Sequence, residues 1–140
     1  AQRLARKNCT NCSVDSMPTE EQMTWLQHLD PNARQIDFKK GEGCQKCNHT
    51  GYAGRVGVFE LLEMTDTMMD KLKIDDAIGF THAAKQAPGY KPLANAALDY
   101  AKQGITSVEE VLKLVENIAE LDESPAESAI TREELDDAAV

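Results

Sequence analysis

Gly43-Cys44-Gln45-Lys46-Cys47-Asn48-His49-Thr50-Gly51 holds two cysteines with two residues between them. Cys9-Thr10-Asn11-Cys12 has the same spacing, and 31 residues separate the two pairs. A Cys-x2-Cys turn is a tight knuckle that aims two thiolates at one point, about 2.3 Å from each sulfur. Two knuckles supply the four sulfurs of a tetrahedral site. On this spacing Cys9, Cys12, Cys44 and Cys47 are read as the ligands of a structural zinc ion. They are the chain's four cysteines, so no ligand is left over. The gap is longer than the roughly 15–20 residues usual in zinc ribbons, so a small subdomain is expected between the knuckles. A closed four-sulfur site has no open position for water or substrate, so it stabilises rather than catalyses. Structural zinc contributes about 10–16 kcal/mol apparent, enough to fold such an insert. The same cysteines admit three other readings: a redox Cys-x2-Cys pair, an iron site of the rubredoxin kind, or free buried thiols. His49, two residues past Cys47, could replace one sulfur. His28 and His82 read as ordinary surface histidines.

The regions around the knuckles are read from periodicity. Gly54-Arg55-Val56-Gly57-Val58-Phe59-Glu60-Leu61-Leu62 is the best strand, with β-branched and aromatic residues. Between the knuckles, Thr19 with Gln22 forms a capping box, and Met23, Leu26 and Leu29 share one helical face. Asp30-Pro31-Asn32 stops that helix. Gln35 to Lys39 reads as a short strand, and Gly41 and Gly43 as a flexible approach to the second knuckle. After the strand everything reads as helix. Asp66 caps one through Ile74, and Asp75 to Ala87 makes a second, ended by Pro88-Gly89. Pro92 sits in the first turn of a third, with Leu93, Ala97, Leu98 and Ala101 on its apolar side and Gly104 at its end. Ser107 with Glu110, or Thr106 with Glu109, caps the last helix, whose stripe is Val108, Val111, Leu112, Val115 and Ile118. The paired acids Glu20-Glu21, Asp75-Asp76 and Glu109-Glu110 sit at helix starts, where they complement the macrodipole.

The chain has 140 residues, 41% of them hydrophobic and 5% aromatic. That is one domain's worth with an aliphatic core. No stretch approaches the roughly 18–20 apolar residues of a membrane span, so direct insertion into a bilayer is excluded, and there is no signal-peptide pattern. The net charge of −9 is concentrated near the end, where nine acids and one base fall between Glu116 and Val140. Residues 122–140 therefore read as an acidic disordered tail, with a transient helix near Thr131–Ala138. The remainder is nearly neutral and has no basic face, which argues against a nucleic-acid partner. Neither a Gly-x4-Gly-Lys-Ser/Thr phosphate loop nor a Gly-x-Gly-x-x-Gly cradle is present. The chain opens at Ala1 without an initiator Met, as a processed chain or excised piece would.

Three segments carry a family resemblance: Ala1-Gln2-Arg3-Leu4-Ala5-Arg6-Lys7-Asn8-Cys9-x2-Cys12; Gly43-Cys44-x2-Cys47-Asn48-x-Thr50-Gly51-Tyr52-x-Gly54-Arg55-Val56-Gly57-Val58-Phe59-Glu60-Leu61-Leu62; and Gly104-Ile105-Thr106-Ser107-Val108-Glu109-Glu110-Val111-Leu112. Together, over residues 1–116, they resemble the C-terminal part of the type II secretion and type IV pilus assembly ATPases. The Leu93–Gly104 helix and the Met-rich segment before it resemble the mannose-sensitive hemagglutinin pilus branch.

The resemblance implies an α+β fold, predominantly helical. Residues 2–7 and 55–62 would form two antiparallel strands with an inserted tetracysteine zinc subdomain, followed by a C-terminal helical domain. Residues 1–8 would be the last strand of a truncated ATPase core, 9–53 the zinc subdomain, 54–63 the returning strand and 64–121 the helical domain. The family implies a cytoplasmic hexamer, peripheral at the inner-membrane face and docked on a platform protein. Its ATP and Mg2+ chemistry would lie in a core upstream of Ala1. No catalytic residue transfers to this chain, while the four zinc ligands do. The other reading is an independent zinc-binding adaptor, since Cys44-x2-Cys47-Asn48-His49-Thr50-Gly51 resembles the cysteine repeat of J-domain co-chaperones, with His49 in the place of a glycine.

Overall fold

The computed structural model describes residues 1–122, with side chains through Val115. The tail expected over 122–140 lies, apart from Asp122, outside the described residues, and so does the side chain of Ile118. Strand β1 (Gln2–Asn8) pairs antiparallel with β4 (Tyr52–Phe59), in a register running from Gln2 opposite Phe59 to Asn8 opposite Tyr52, with a shift between Arg6 and Asn8. Between them lie β2 (Ser13–Ser16), α1 (Glu20–Leu29) and β3 (Phe38–Gly41), with β2 and β3 forming a second two-stranded antiparallel sheet. Four helices follow: α2 (Asp66–Lys73), α3 (Ala77–Lys85), α4 (Leu93–Lys102) and α5 (Val108–Asp122). The chain is thus α+β, with the expected strand pairing and a helical second half.

Several boundaries moved for identifiable reasons. The α1 capping box is present in both directions: Gln22 N–H donates to Thr19 Oγ1 (3.2 Å) and Thr19 N–H to Gln22 Oε1 (3.0 Å). The strand expected from Gln35 begins only at Phe38, because Ala33–Gln35 closes a 3-10 turn after Pro31. Thr65, not Asp66, caps α2, its hydroxyl accepting from Met68 N–H. Asp76 caps α3 through Gly79 N–H (2.8 Å), so this helix begins two residues later than expected. Pro92 is the N-cap of α4 rather than its first-turn residue. Gly104, at φ +75°, follows α4 in the left-handed conformation that lets the chain reverse into α5.

One apolar cluster takes residues from β1, β3 and β4 and from α1, α4 and α5. Ala5 and Val58 come from the first sheet, Met23 and Leu26 from α1, and Phe38 from β3. Leu93, Ala97, Leu98 and Ala101 come from α4, and Val108, Val111 and Leu114 from α5. Leu114 was absent from the expected stripe, and Val115 is only half-buried. The segment between the knuckles therefore shares its core with α4 and α5. Helices α2 and α3 close a separate small cluster of Met68, Ala84 and Ala87, flanked by Leu62 and Phe80.

Candidate metal centre

Each knuckle sits where a strand ends. Cys9 follows β1, and the turn through Thr10 and Asn11 delivers Cys12 just before β2. Cys44 follows β3, and a 3-10 turn over Gln45–Cys47 swings Cys47 back beneath it. The chain leaves that turn through Asn48 (φ 53°) and His49 (φ 61°), two left-handed residues that reverse it into β4. Because β1 pairs with β4 and β2 with β3, both knuckles arrive at the same end of the fold.

The four sulfurs lie within 4.8 Å of one another. Cys9 and Cys44 are 3.8 Å apart, Cys12 and Cys47 3.9 Å, and Cys44 and Cys47 3.7 Å. Four sulfurs at about 2.3 Å from a tetrahedral centre would be about 3.8 Å apart. The geometry fits that centre and not a disulfide, whose sulfurs stand about 2.0 Å apart. All four cysteines are free. These three pairs differ by only 0.2 Å, so none of them stands apart as a separate two-thiol unit. His49 is exposed and outside the sulfur cluster, and His28 and His82 are exposed as well.

N–H groups converge on the sulfurs. Gly43 donates its backbone N–H to Cys12 Sγ (3.3 Å), and Cys47 Sγ accepts from the backbone N–H of Cys44 (3.2 Å) and Gly51 (3.3 Å). The Asn11 side-chain amide donates to Cys44 Sγ (3.3 Å). Burial pushes the Cys47 thiol up, but the Cys44 and Gly51 amides and the neighbouring sulfurs outweigh it and bring it down to about 6. Asn11 lowers Cys44. Burial raises Cys12 to about 11, against the Gly43 amide. A cage that stabilises some thiolates and crowds others suits a cation that neutralises the whole set. Its ligands would be Cys9, Cys12, Cys44 and Cys47, with no site open for chemistry.

Two supporting features were not legible in sequence. Gly41 and Gly51 touch backbone to backbone: a β-carbon on Gly41 would lie 2.7 Å from the Gly51 Cα and overlap its carbonyl. Gly41 is thus required for close approach, where flexibility had been expected. The other is a polar junction beside the knuckles. Glu110, read from sequence as a dipole-complementing or capping residue, is 6% exposed. Its Oε1 accepts from Arg6 Nη2 (2.7 Å) and Nε (3.0 Å), and its Oε2 from the Arg6 backbone N–H (2.9 Å). Ser107 caps α5 by accepting from Glu110 N–H (3.3 Å), but the carboxylate does not return to complete a box. Thr106 does not cap α5, because its hydroxyl donates to the Arg6 carbonyl (2.7 Å). The two partners are about a hundred residues apart in sequence, so no local pattern pairs them.

The junction has a pH signature. Burial pushes the Glu110 carboxyl up, but the Arg6 hydrogen bonds and charge outweigh it and hold it below the ordinary value. A carboxyl lowered in the folded state contributes stability above its unfolded pKa, near 4.3, and loses it as pH falls through the lower folded value. Glu110→Gln should therefore destabilise the chain at pH 7 by about 1–2 kcal/mol, modest because Arg6 is partly solvated. The difference from wild type in urea denaturation should shrink as pH drops below about 4. A gap that stays constant with pH would contradict this assignment.

Comparison with known proteins follows the same residues. The family model described as type II/IV secretion system protein matches residues 1–113. Type IV pilus assembly ATPase PilB of Thermus thermophilus is 33% identical over 112 residues, covering 80% of this chain and 13% of that protein. Type II secretion system ATPase E of Vibrio cholerae is 34% identical over 116 residues, covering 81% of this chain and 22% of that protein. Type IV pilus assembly ATPase TfpB of Acinetobacter baylyi is 31% identical over 115 residues, covering 82% and 20%. The chain spans about a fifth or less of the length of these relatives.

Proposed function

This chain belongs to the type II/IV secretion system protein family, and on that premise we propose that it is the non-catalytic, zinc-binding C-terminal region of a hexameric pilus-assembly or secretion ATPase. The observation that carries the reading is the close clustering of the four sulfurs of residues 9, 12, 44 and 47, set inside the family match. In this reading zinc fixes the knuckles, and with them the β1–β4 ribbon against α5. The region contributes contacts to neighbouring subunits and to an inner-membrane platform protein. ATP and Mg2+ belong to a core encoded upstream, and the location is cytoplasmic, peripheral at the inner-membrane face. Among the described residues no helix is long and apolar enough to cross a membrane. Assignment to the mannose-sensitive hemagglutinin pilus branch rests on the Leu93–Gly104 helix and the Met-rich segment alone.

The chain by itself should show no ATP turnover above background, and robust hydrolysis by the purified chain would overturn the reading. Capture of a platform protein's cytoplasmic domain, with no preference for unfolded clients, supports it; the reverse preference favours a chaperone-like adaptor. Elemental analysis distinguishes zinc from iron in the same cage. A phosphate loop encoded upstream of Ala1 would be the most direct support.

A further inference from the structure

The second knuckle is wired to the first turn of α5. From Cys47 the path runs through Thr50, whose hydroxyl donates to the Cys47 carbonyl (2.7 Å) and accepts from Tyr52 N–H (3.2 Å). The Tyr52 hydroxyl then meets Ser107 Oγ at 2.6 Å, the same oxygen that caps α5 by accepting from Glu110 N–H. Arg6, held by Glu110, lays its guanidinium 4.0 Å from the centre of the Tyr52 ring and so closes the circuit. The first knuckle meets the same place. Asn8, next to Cys9, sends its side-chain N–H groups to the Gly104 and Lys39 carbonyls (both 3.1 Å) and its backbone N–H to Ile105 (2.8 Å).

We propose that Tyr52 is a positioning residue through which occupancy of the four-cysteine site sets the capping and docking of α5. The inference rests on the metal-site reading above. Metal fixes the turn that Cys47 closes, and five residues later that turn fixes the height of the Tyr52 hydroxyl. When the knuckle opens, the hydroxyl withdraws from Ser107, which loses the partner that holds it over the Glu110 amide. The Arg6 guanidinium loses its aromatic floor at the same time. Linkage makes the effect reciprocal: a well-docked α5 tightens the metal site by the same factor that metal tightens α5.

Reciprocity supplies a test that needs no metal-free folded chain. Zinc affinity is measured by competition with a chromophoric chelator for the full chain, Tyr52→Phe, Ser107→Ala and the double variant. Tyr52→Phe keeps the ring beneath Arg6 and removes only the hydroxyl. Each single variant should weaken zinc binding about five-fold, the worth of one hydrogen bond, and the double should be no weaker than either single. Hydrogen exchange at the Glu110 and Val111 amides should rise in the zinc-loaded Tyr52→Phe protein, while the Gly43 and Gly51 amides stay protected. Unchanged zinc affinity in the singles, or additive losses in the double, overturns the coupling and leaves the metal reading intact. A chain that binds no zinc at all overturns the metal reading, and the coupling with it.

Discussion

Stripping zinc with a chelator, or replacing one ligand by Cys44→Ser, should unfold the segment from Cys9 to Cys47 and lower the melting temperature by on the order of 20–30 °C. Elemental analysis of the native chain should give one zinc per polypeptide. The size of the effect follows from what is near the sulfurs. β2 and β3 are four residues each, too short to hold register without the knuckles at their ends. Sequence alone suggests that the later helices would survive such a loss, since a separate small subdomain could melt by itself. The shared core changes that expectation. Leu26 and Phe38 are fully buried in the same cluster as Leu98 and Val111, so loss of the insert uncovers α4 and α5 as well. Circular dichroism should show helix loss well beyond the ten residues of α1. A metal-free chain that keeps its Gly43 and Gly51 amides protected would refute this account of its stability.

Gly41→Ala should be the most damaging single methyl added to the fold, costing at least about 3 kcal/mol in denaturant titration. The added carbon meets backbone, not a side chain that could swing aside. Neither side can yield cheaply. Gly41 is paired with Ser13 in the second sheet. Gly51 accepts from Cys9 N–H (2.9 Å) and donates to Cys47 Sγ. Forcing them apart opens the base of the second knuckle, so zinc affinity should drop by about a hundred-fold or more, the same energy read at the metal. A Gly41→Ala chain with native zinc affinity would show that the approach of the two glycines is incidental to the site.

That the four cysteines would gather was legible because Cys-x2-Cys is a local pattern, and two such turns suit one shared centre. The α1 capping box was legible for the same reason, since Thr19 and Gln22 are three residues apart. The strand pairing came from family resemblance, because periodicity marks a strand but not its partner. What escaped was long-range. Glu110 reads as an ordinary first-turn acid until Arg6, from the other end of the chain, is placed beside it. Thr106 shows the converse: short polar residues near a helix start are interchangeable in sequence, and its bond to the distant Arg6 carbonyl leaves the cap to Ser107. Gly41 looked like a hinge because a missing side chain permits both motion and contact, and only the position of Gly51 distinguishes them.

Helices α2 and α3 hold a small interior of their own and leave Leu72, Ile74 and Ile78 more than half exposed. A unit with so few ties to the main cluster opens on its own, at a free energy well below that of global unfolding. The protein thus has two thermodynamic tempers, a braced half that yields only all at once and a lightly tethered hairpin that can breathe without disturbing it.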